Sequence, residues 1–297
     1  MTTFTRGQTN PDLFAGAEML YGDRDGGLDV LRGREWDAVI DTCGYYPRVV
    51  EQSVSLLRES VPFYVFISSI SAYGDLSEPP TEDSPTAELP ADVTESLDFY
   101  GPLKAECERV LQRAYGEAAA IVRPGLIVGP HDPTGRFTYW PHRIARGGDV
   151  LAPEPKDNPV QVIDGRDLGA WLVLLAERQT GGTFNAVTPP FTMESMLEAT
   201  RETLNPGARL VWVDDRFLVE REVGQWMELP LWVVDDEMAG LLVADSSRAI
   251  AGGLTFRPLE ETIRGALEQA ELTESAGMKP EREAELLEEW ASLASGG

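Results

Sequence analysis

Short apolar runs that alternate with helical patterns constrain the fold of this chain more than any other feature of its sequence. Runs at 38–40 and 63–67 flank a segment, 47–60, in which apolar residues recur at helical spacing. Further apolar runs follow at 118–122 and 160–163. Strands separated by helices join in parallel through crossover connections. The pattern therefore predicts an α/β fold built on a parallel sheet.

Composition places the chain among ordinary globular proteins. Its 297 residues, 42% of them hydrophobic and 25% charged, suffice for one large α/β domain or two smaller ones. The apolar runs are too short to span a bilayer, and the first residues lack the apolar core of a signal peptide, so we expect a cytoplasmic protein. Two cysteines and two histidines argue against a disulfide framework and a His-rich metal site.

The net charge of the chain is −25, with 50 acidic against 25 basic residues, and only three of the basic residues are lysines. Such a field repels nucleic acid backbones over a Debye length of about 8 Å. The charge therefore argues against nucleic acid as a partner, and the short apolar runs argue against a membrane.

One pair of residues is typical of proton-transfer chemistry. Tyr100 and Lys104 are four residues apart, so on a helix they share one face. A nearby ammonium stabilises a phenolate, which lets a tyrosine exchange a proton with a carbonyl or hydroxyl group. A single pair of this spacing is common by chance, and the alternative is ordinary packing on a helix surface.

Three serines follow the strand predicted at 63–67. Ligands of open α/β sheets bind beyond the carboxyl ends of the strands. A hydroxyl from Ser68, Ser69 or Ser71 could therefore orient a substrate oxygen against Tyr100. The alternative is that these serines end the strand through local backbone hydrogen bonds.

These segments form an ordered set. The strand followed by Ser-Ser-Ile-Ser-Ala-Tyr-Gly at 68–74 comes first, then Tyr100-x-x-x-Lys104, then Val-Arg-Pro-Gly-Leu-Ile-Val-Gly-Pro at 122–130, with further matching segments at 162–168, 245–249 and 256–258. The set resembles the extended short-chain dehydrogenase/reductase superfamily, the NAD-dependent epimerase/dehydratase group. Within it, the chain looks closest to the atypical reductases that include chloroplast stem-loop-binding relatives. The resemblance covers essentially the whole chain.

The resemblance implies an NAD(P)-dependent oxidoreductase, epimerase or dehydratase that acts on a carbonyl or hydroxyl carbon of a small molecule. In such an enzyme Tyr100 would be the general acid/base, and Lys104 would bind the nicotinamide ribose and tune Tyr100. Ser69 would be the third catalytic residue, with Ser71 as the fallback. The superfamily often dimerises through helices around the Tyr-Lys segment, so a homodimer is also implied.

The resemblance further implies a set of cofactor contacts. Asp23 aligns with an acidic residue that contacts adenine, Gly44 with a residue beside the dinucleotide, and Pro124 with a residue that faces the nicotinamide. At 42–44 the chain has Thr-Cys-Gly where the family usually has a small Ala-Gly turn, which makes Cys43 either a reactive thiol or, by default, a small buried one. The full predicted set is Arg6, Asp23, Cys43, Gly44, Ser68, Tyr100, Lys104, Pro124 and Gly125.

The sequence departs most from the superfamily at its start. The family opens with a strand, a Gly-rich turn and a helix that together cradle the pyrophosphate. This chain opens at the equivalent of the second strand, 2–5, and about 30 residues of a βα unit are missing. We expect a Rossmann-like doubly wound sheet without its first βα unit, in two pieces with unpaired edges. Either translation starts upstream, or this is a short form that is unstable or binds no cofactor.

Arg6 at the end of the predicted first strand bears on the choice of cofactor. An acid at this point binds the ribose 2′-hydroxyl of NAD, whereas an arginine accommodates the 2′-phosphate of NADP. We expect NADP or NAD, with NADP slightly favoured. The alternative is that Arg6 is simply a surface residue at a strand end.

The predicted organisation has two parts. Residues 1–135, joined by roughly 159–190, form the dinucleotide-binding core, and residues 136–158 and 191–297 form a smaller α/β substrate-binding part with the C-terminal helices. A helix at 280–293 should point Leu286, Leu287, Trp290 and Leu293 inward. Two other functions stay open: a non-catalytic nucleotide- or RNA-associated relative, against which the net charge counts, and an N-terminally truncated inactive form.

Overall fold

The computed structural model describes residues 1–8, 16–93, 95–269 and 276–295. The strands are β1 (Thr2–Thr5), β2 (Glu18–Tyr21), β3 (Val39–Asp41), β4 (Tyr64–Ile67), β5 (Ala119–Pro124), β6 (Leu126–Val128), β7 (Asp149–Pro153), β8 (Pro159–Val160), β9 (Val162–Asp164), β10 (Gly182–Ala186), β11 (Phe191–Thr192) and β12 (Arg209–Val213). The helices are α1 (Pro47–Leu57), α2 (Tyr100–Tyr115), α3 (Tyr139–Ala145), α4 (Gly165–Arg178), α5 (Met193–Leu204), α6 (Asp215–Glu220), α7 (Ser247–Ala251), α8 (Leu259–Gln269) and α9 (Pro280–Ser295).

The chain forms two compact units. The first contains Met1–Asp75, Glu82–Pro124 and Trp171–Asn185, and the second contains Leu76–Thr81, Gly125–Ala170 and Ala186–Gly297. The dinucleotide-binding and substrate-binding roles expected for the two parts of the chain stay predictions.

A four-stranded sheet forms the centre of the first unit, in the order β10-β5-β4-β3. Strands β3, β4 and β5 are parallel, as predicted, with Val39 opposite Tyr64 and Tyr64 opposite Ala119. Every residue of β4 and β5 is buried. Continuous apolar runs of this kind suit strands that are covered on both faces. Apolar residues of α1 and α2 pack on the sheet in one core cluster.

Strands β1 and β2 form a separate parallel ladder of two strands in the same unit, with Thr2 opposite Glu18. Side chains tie this ladder to the larger sheet. The Trp36 indole donates to the Thr2 hydroxyl at 3.1 Å, and Arg24, just after β2, donates to both oxygens of Asp41 at 2.7 and 2.8 Å. Among the described residues, the strands of this unit therefore form two separate ladders.

Asp41 is the buried partner in the contact with Arg24. Its carboxylate, 7% exposed, also accepts a hydrogen bond from the Tyr64 hydroxyl at 2.7 Å. Burial by itself raises the pKa of Asp41, but the hydrogen bonds and charge of Arg24, together with the Tyr64 hydroxyl, outweigh burial and lower that pKa. Asp41 is therefore a buried anion with both oxygens occupied.

Among the described residues of the second unit, there are three ladders of two strands: β6 with β9 and β7 with β12 in parallel, and β8 with β11 antiparallel. The strand predicted at 160–163 is divided, because its two halves pair with different strands. The buried Gln161 lies at the division and donates to the carbonyls of Thr188 and Ala244, at 2.8 and 2.9 Å. Trp140 and Trp232 are both fully buried in the core of this unit.

Helix α9 is held to the second unit by a buried ion pair. Glu283 accepts a hydrogen bond from Arg143 Nε and another from the Leu151 amide, the latter at 3.0 Å. Leu286 is buried, as predicted, whereas Leu293 is 56% exposed, so its predicted inward position is wrong. Residues 291–293 are all exposed, because the last turns of α9 extend past the core. Within the described residues, none of the helices has the length and apolar character needed to cross a membrane.

Candidate active site

Three parallel strands of the first unit bring their carboxyl ends to one rim of the sheet. Gly44 follows β3, Ser68 and Ser69 follow β4, and Pro124 ends β5. Ligands of α/β sheets bind at this kind of rim. The strand order therefore gathers residues that are far apart in the sequence.

Helix α2 begins against the turn that follows β4. A Cβ atom added to Gly101 would lie 2.0 Å from the carbonyl oxygen of Ser71, so only glycine permits this approach. Ser69 caps the turn, because its hydroxyl accepts a hydrogen bond from the Ser71 amide at 3.1 Å. This is the local hydrogen bond that the alternative interpretation of the serines predicts. It uses the Ser69 oxygen as an acceptor and leaves the hydroxyl hydrogen for another group.

Lys104 reaches the rim from one turn further along α2. Its side chain is 3% exposed, and Nζ donates to the carbonyl oxygens of Gly44 at 2.7 Å and Ile67 at 2.5 Å. Nζ also lies 4.5 Å from the centroid of the Phe66 ring. Burial lowers the pKa of Lys104 to about 8. The ammonium thus bridges the ends of β3 and β4 and retains a third N–H.

Tyr100 is the first residue of α2 and is half-buried. The centroid of its ring lies 6.4 Å from that of Tyr45, and the Tyr45 centroid is 5.5 Å from Lys104 Nζ. The two groups predicted to move and stabilise a proton therefore border the same aromatic ring. Tyr45 was not among the predicted site residues, although it directly follows Gly44, which was.

Other predicted residues lie elsewhere in the first unit. Arg6 follows β1 and Asp23 follows β2, and both are exposed. Ser68 is buried and donates its hydroxyl to the Glu108 carboxylate, not towards the rim. Cys43 is exposed, so the expectation of a buried thiol is wrong. The Arg24 guanidinium donates to Cys43 Sγ at 3.4 Å.

Pro124 and Gly125 fall on different units. Pro124 is the buried last residue of β5 in the first unit. Gly125 opens a segment of the second unit, where an added Cβ would lie 2.6 Å from Val187 Cγ1. The roles predicted for both residues stay predictions.

The sequence analysis also missed a buried ion pair, Glu108 with Arg123. Arg123 Nε and Nη2 donate to the two Glu108 oxygens at 2.9 and 2.6 Å. The sequence does place Glu108 one helical turn beyond Lys104, on the same face of the helix, which indicates a position close to the predicted site.

Comparison with known proteins shows similarity at the level of sequence family and of fold. Residues 49–186 match the NAD dependent epimerase/dehydratase family. No curated protein matches the sequence. Among solved structures, the Bordetella bronchiseptica enzyme WbmG in complex with NAD shares 17% identity and a TM-score of 0.61, over 89% of this chain and 83% of that one.

Two further structures have the same fold. UDP-glucose 4-epimerase from Thermotoga maritima with UDP-glucose shares 16% identity and a TM-score of 0.61, over 90% of each chain. RMD from Pseudomonas aeruginosa complexed with NADPH shares 14% identity and a TM-score of 0.58, over 90% of this chain and 98% of that one. Residues 49–186 therefore resemble the NAD dependent epimerase/dehydratase family, and the chain has the fold of the solved enzymes named above.

Proposed function

We propose that this enzyme transfers a hydride at a carbonyl or hydroxyl carbon of a small molecule, with Tyr100, Lys104 and Ser69 as its catalytic residues. One observation carries the proposal: the buried Lys104 ammonium sits on the carbonyls of Gly44 and Ile67 at the carboxyl rim, one helical turn from Tyr100. A family signature over the same segment supports it.

Each residue has a separate task in this proposal. The phenol oxygen of Tyr100 takes the proton when a substrate hydroxyl is oxidised and returns it when a carbonyl is reduced. The Lys104 ammonium, held in place by two backbone carbonyls, stabilises the phenolate. The Ser69 hydroxyl donates to the substrate oxygen and orients it towards Tyr100.

The residues at the rim suit the nicotinamide ribose of a dinucleotide. The third N–H of Lys104 matches a ribose hydroxyl as acceptor, since its other two are directed at carbonyls. The bound nicotinamide would supply the hydride acceptor or donor. For the diphosphate, the described residues offer no Gly-rich turn at a helix N-terminus, and we assign no diphosphate contacts.

Within this proposal we favour NADP over NAD. Arg6 is exposed at the end of β1, where its guanidinium can meet a 2′-phosphate. NADPH is also the cofactor bound in the Pseudomonas aeruginosa structure. Fluorescence titrations with NADH and NADPH measure the preference, and tighter binding of NADH would reverse it.

The test of the proposed site is Tyr100→Phe, which removes one oxygen atom. We expect turnover to fall by about 10²–10⁴-fold, while NADPH binding stays within a factor of about two, because general acid–base catalysis is lost and the fold is not. Turnover is followed by nicotinamide absorbance and product analysis with UDP-glucose, other nucleotide sugars and small ketones as probes. The matched control is Tyr21→Phe, at an exposed tyrosine of β2. Wild-type turnover in Tyr100→Phe would refute the assignment.

A further inference from the structure

The buried ion pair of Glu108 and Arg123 lies between helix α2 and the sheet of the first unit. Both carboxylate oxygens of Glu108 accept from Arg123, and the Ser68 hydroxyl donates to Glu108 Oε1. Each of the three side chains is at most 5% exposed. The pair therefore joins α2, the end of β4 and strand β5 in one hydrogen-bonded cluster.

Burial makes this pair a weak source of stability. Removing two charges from water costs about as much as their attraction returns, and apolar residues of similar volume often stabilise a core equally well. The pair does fix the relative orientation of its two side chains, because two parallel N–H···O hydrogen bonds hold the carboxylate in one orientation. A contact at two points fixes the rotation of a helix about its own axis.

The rotation of α2 matters because of the residues that share its inner face. Glu108 lies four residues after Lys104 and eight after Tyr100, so the three side chains follow one side of the helix. If α2 turned away from Arg123, the Lys104 ammonium would leave the backbone carbonyls that it contacts at the rim.

Arg123 is held firmly enough to serve as the fixed partner. Its guanidinium carbon lies 4.5 Å from the centroid of the Tyr73 ring, and the Tyr73 hydroxyl donates to Asn185 Oδ1 at 2.7 Å. Tyr73 ends the turn that Ser69 caps. The ion pair is thus anchored to the same turn against which α2 begins.

We infer that Glu108 and Arg123 are positioning residues for the proposed active site: together they set the rotation of α2 and so place the Lys104 ammonium and the Tyr100 phenol at the rim. The inference rests on the proposed function for the roles of those two groups. It concerns the placement of Lys104, which can be measured without a substrate.

The test replaces the whole cluster with apolar side chains of similar size: Ser68→Ala, Glu108→Met and Arg123→Met in one variant. The Glu108 charge raises the pKa of Lys104, so its removal would by itself lower that pKa, which is opposite to the rise expected if the helix turns. The variant also leaves no buried hydroxyl without an acceptor. The matched control is Glu106→Met with Arg113→Met, an ion pair on the same helix in which Arg113 is exposed and Glu106 is half-buried and also paired with Arg109.

Lysine labelled with ¹³C at the ε position gives the readout, because the chain contains three lysines and Lys104→Met identifies the signal of interest. We expect the apolar variant to melt at or above the wild-type temperature, and the pKa of Lys104 to rise from about 8 by at least about one unit towards 10.5 as the ammonium enters water. The control variant should leave the Lys104 signal and its pKa unchanged.

Two outcomes would overturn the inference. If the apolar variant folds and the pKa of Lys104 stays at or below about 8, the pair does not position the helix. If the apolar variant does not fold, the pair is required for the fold itself and its role is structural. Neither outcome depends on Tyr100→Phe, whose undiminished turnover is what would refute the proposed function.

Discussion

The contact between Gly101 and Ser71 gives a sharp test of how α2 is placed. In a solvent-exposed helix, Gly→Ala stabilises a protein by up to about 1 kcal/mol, because alanine loses less backbone entropy. At Gly101, however, the new Cβ would lie 2.0 Å from a backbone oxygen, and contacts under 3.0 Å essentially do not occur. Either α2 or the Ser71 turn must move by about 1 Å, and overpacking of this kind costs about 1–3 kcal/mol.

The obstacle is backbone, so the cost should fall at the upper end of that range and exceed the gain in helix propensity. We expect Gly101→Ala to lower the free energy of unfolding by about 1–2 kcal/mol. Gly169 in α4 provides the control, because nothing lies within 4 Å of its added Cβ and Gly169→Ala should be neutral or stabilising. Urea denaturation followed by circular dichroism measures both variants. If Gly101→Ala is as stable as Gly169→Ala, α2 does not begin against the Ser71 turn.

Two further changes test buried charges. The pKa of Lys104 is about 8 in the fold and 10.5 in the unfolded chain. Between these pH values the unfolded chain binds more protons than the folded chain. The free energy of unfolding should therefore rise with pH across that window, by about 3 kcal/mol in all. Urea midpoints should show that this rise is absent in Lys104→Met and kept in Lys156→Met. Glu283→Gln should lower the free energy of unfolding by about 3–5 kcal/mol, because it leaves Arg143 buried without a counter-charge. Glu285→Gln, at an exposed residue of the same helix, should change it by less than about 0.5 kcal/mol. Equal melting temperatures of the two variants would contradict this.

Elements with a local signal could be predicted from the sequence. Thr192 is a residue type that favours helix N-caps, and it caps α5: its hydroxyl accepts from the Ser195 amide, and its amide donates to the Ser195 hydroxyl. Helix α2 starts at Tyr100 with Pro102 in its first turn, where a missing N–H costs little. Helix caps and helix starts depend on residues that are close in the sequence, so they can be predicted without knowledge of the tertiary structure.

Features set by distant neighbours could not be predicted. Ser68 and Ser69 are adjacent and chemically identical, yet the first turns inward to Glu108 while the second caps a turn at the rim. The position of Glu108 on the helix face of Lys104 is visible in the sequence, but only the fold reveals that Arg123 lies opposite. Leu293 repeats the spacing of a buried stripe but lies beyond the core. In each case the packing surface, not the local pattern, decides the environment.

The separation of the parallel strands into two ladders has a consequence for local opening. Among the described residues, β1 and β2 exchange ladder hydrogen bonds with each other, while β3 bonds only to β4. The parallel β1–β2 pair can therefore detach without breaking any backbone bond of the central sheet. It would lose polar contacts such as Arg24–Asp41 and Trp36–Thr2, and the apolar packing of Phe4 and Leu20 near Leu56. Amide hydrogens of Phe4 and Leu20 should consequently exchange with solvent through a low-energy partial unfolding, long before those of Val65 and Ile121.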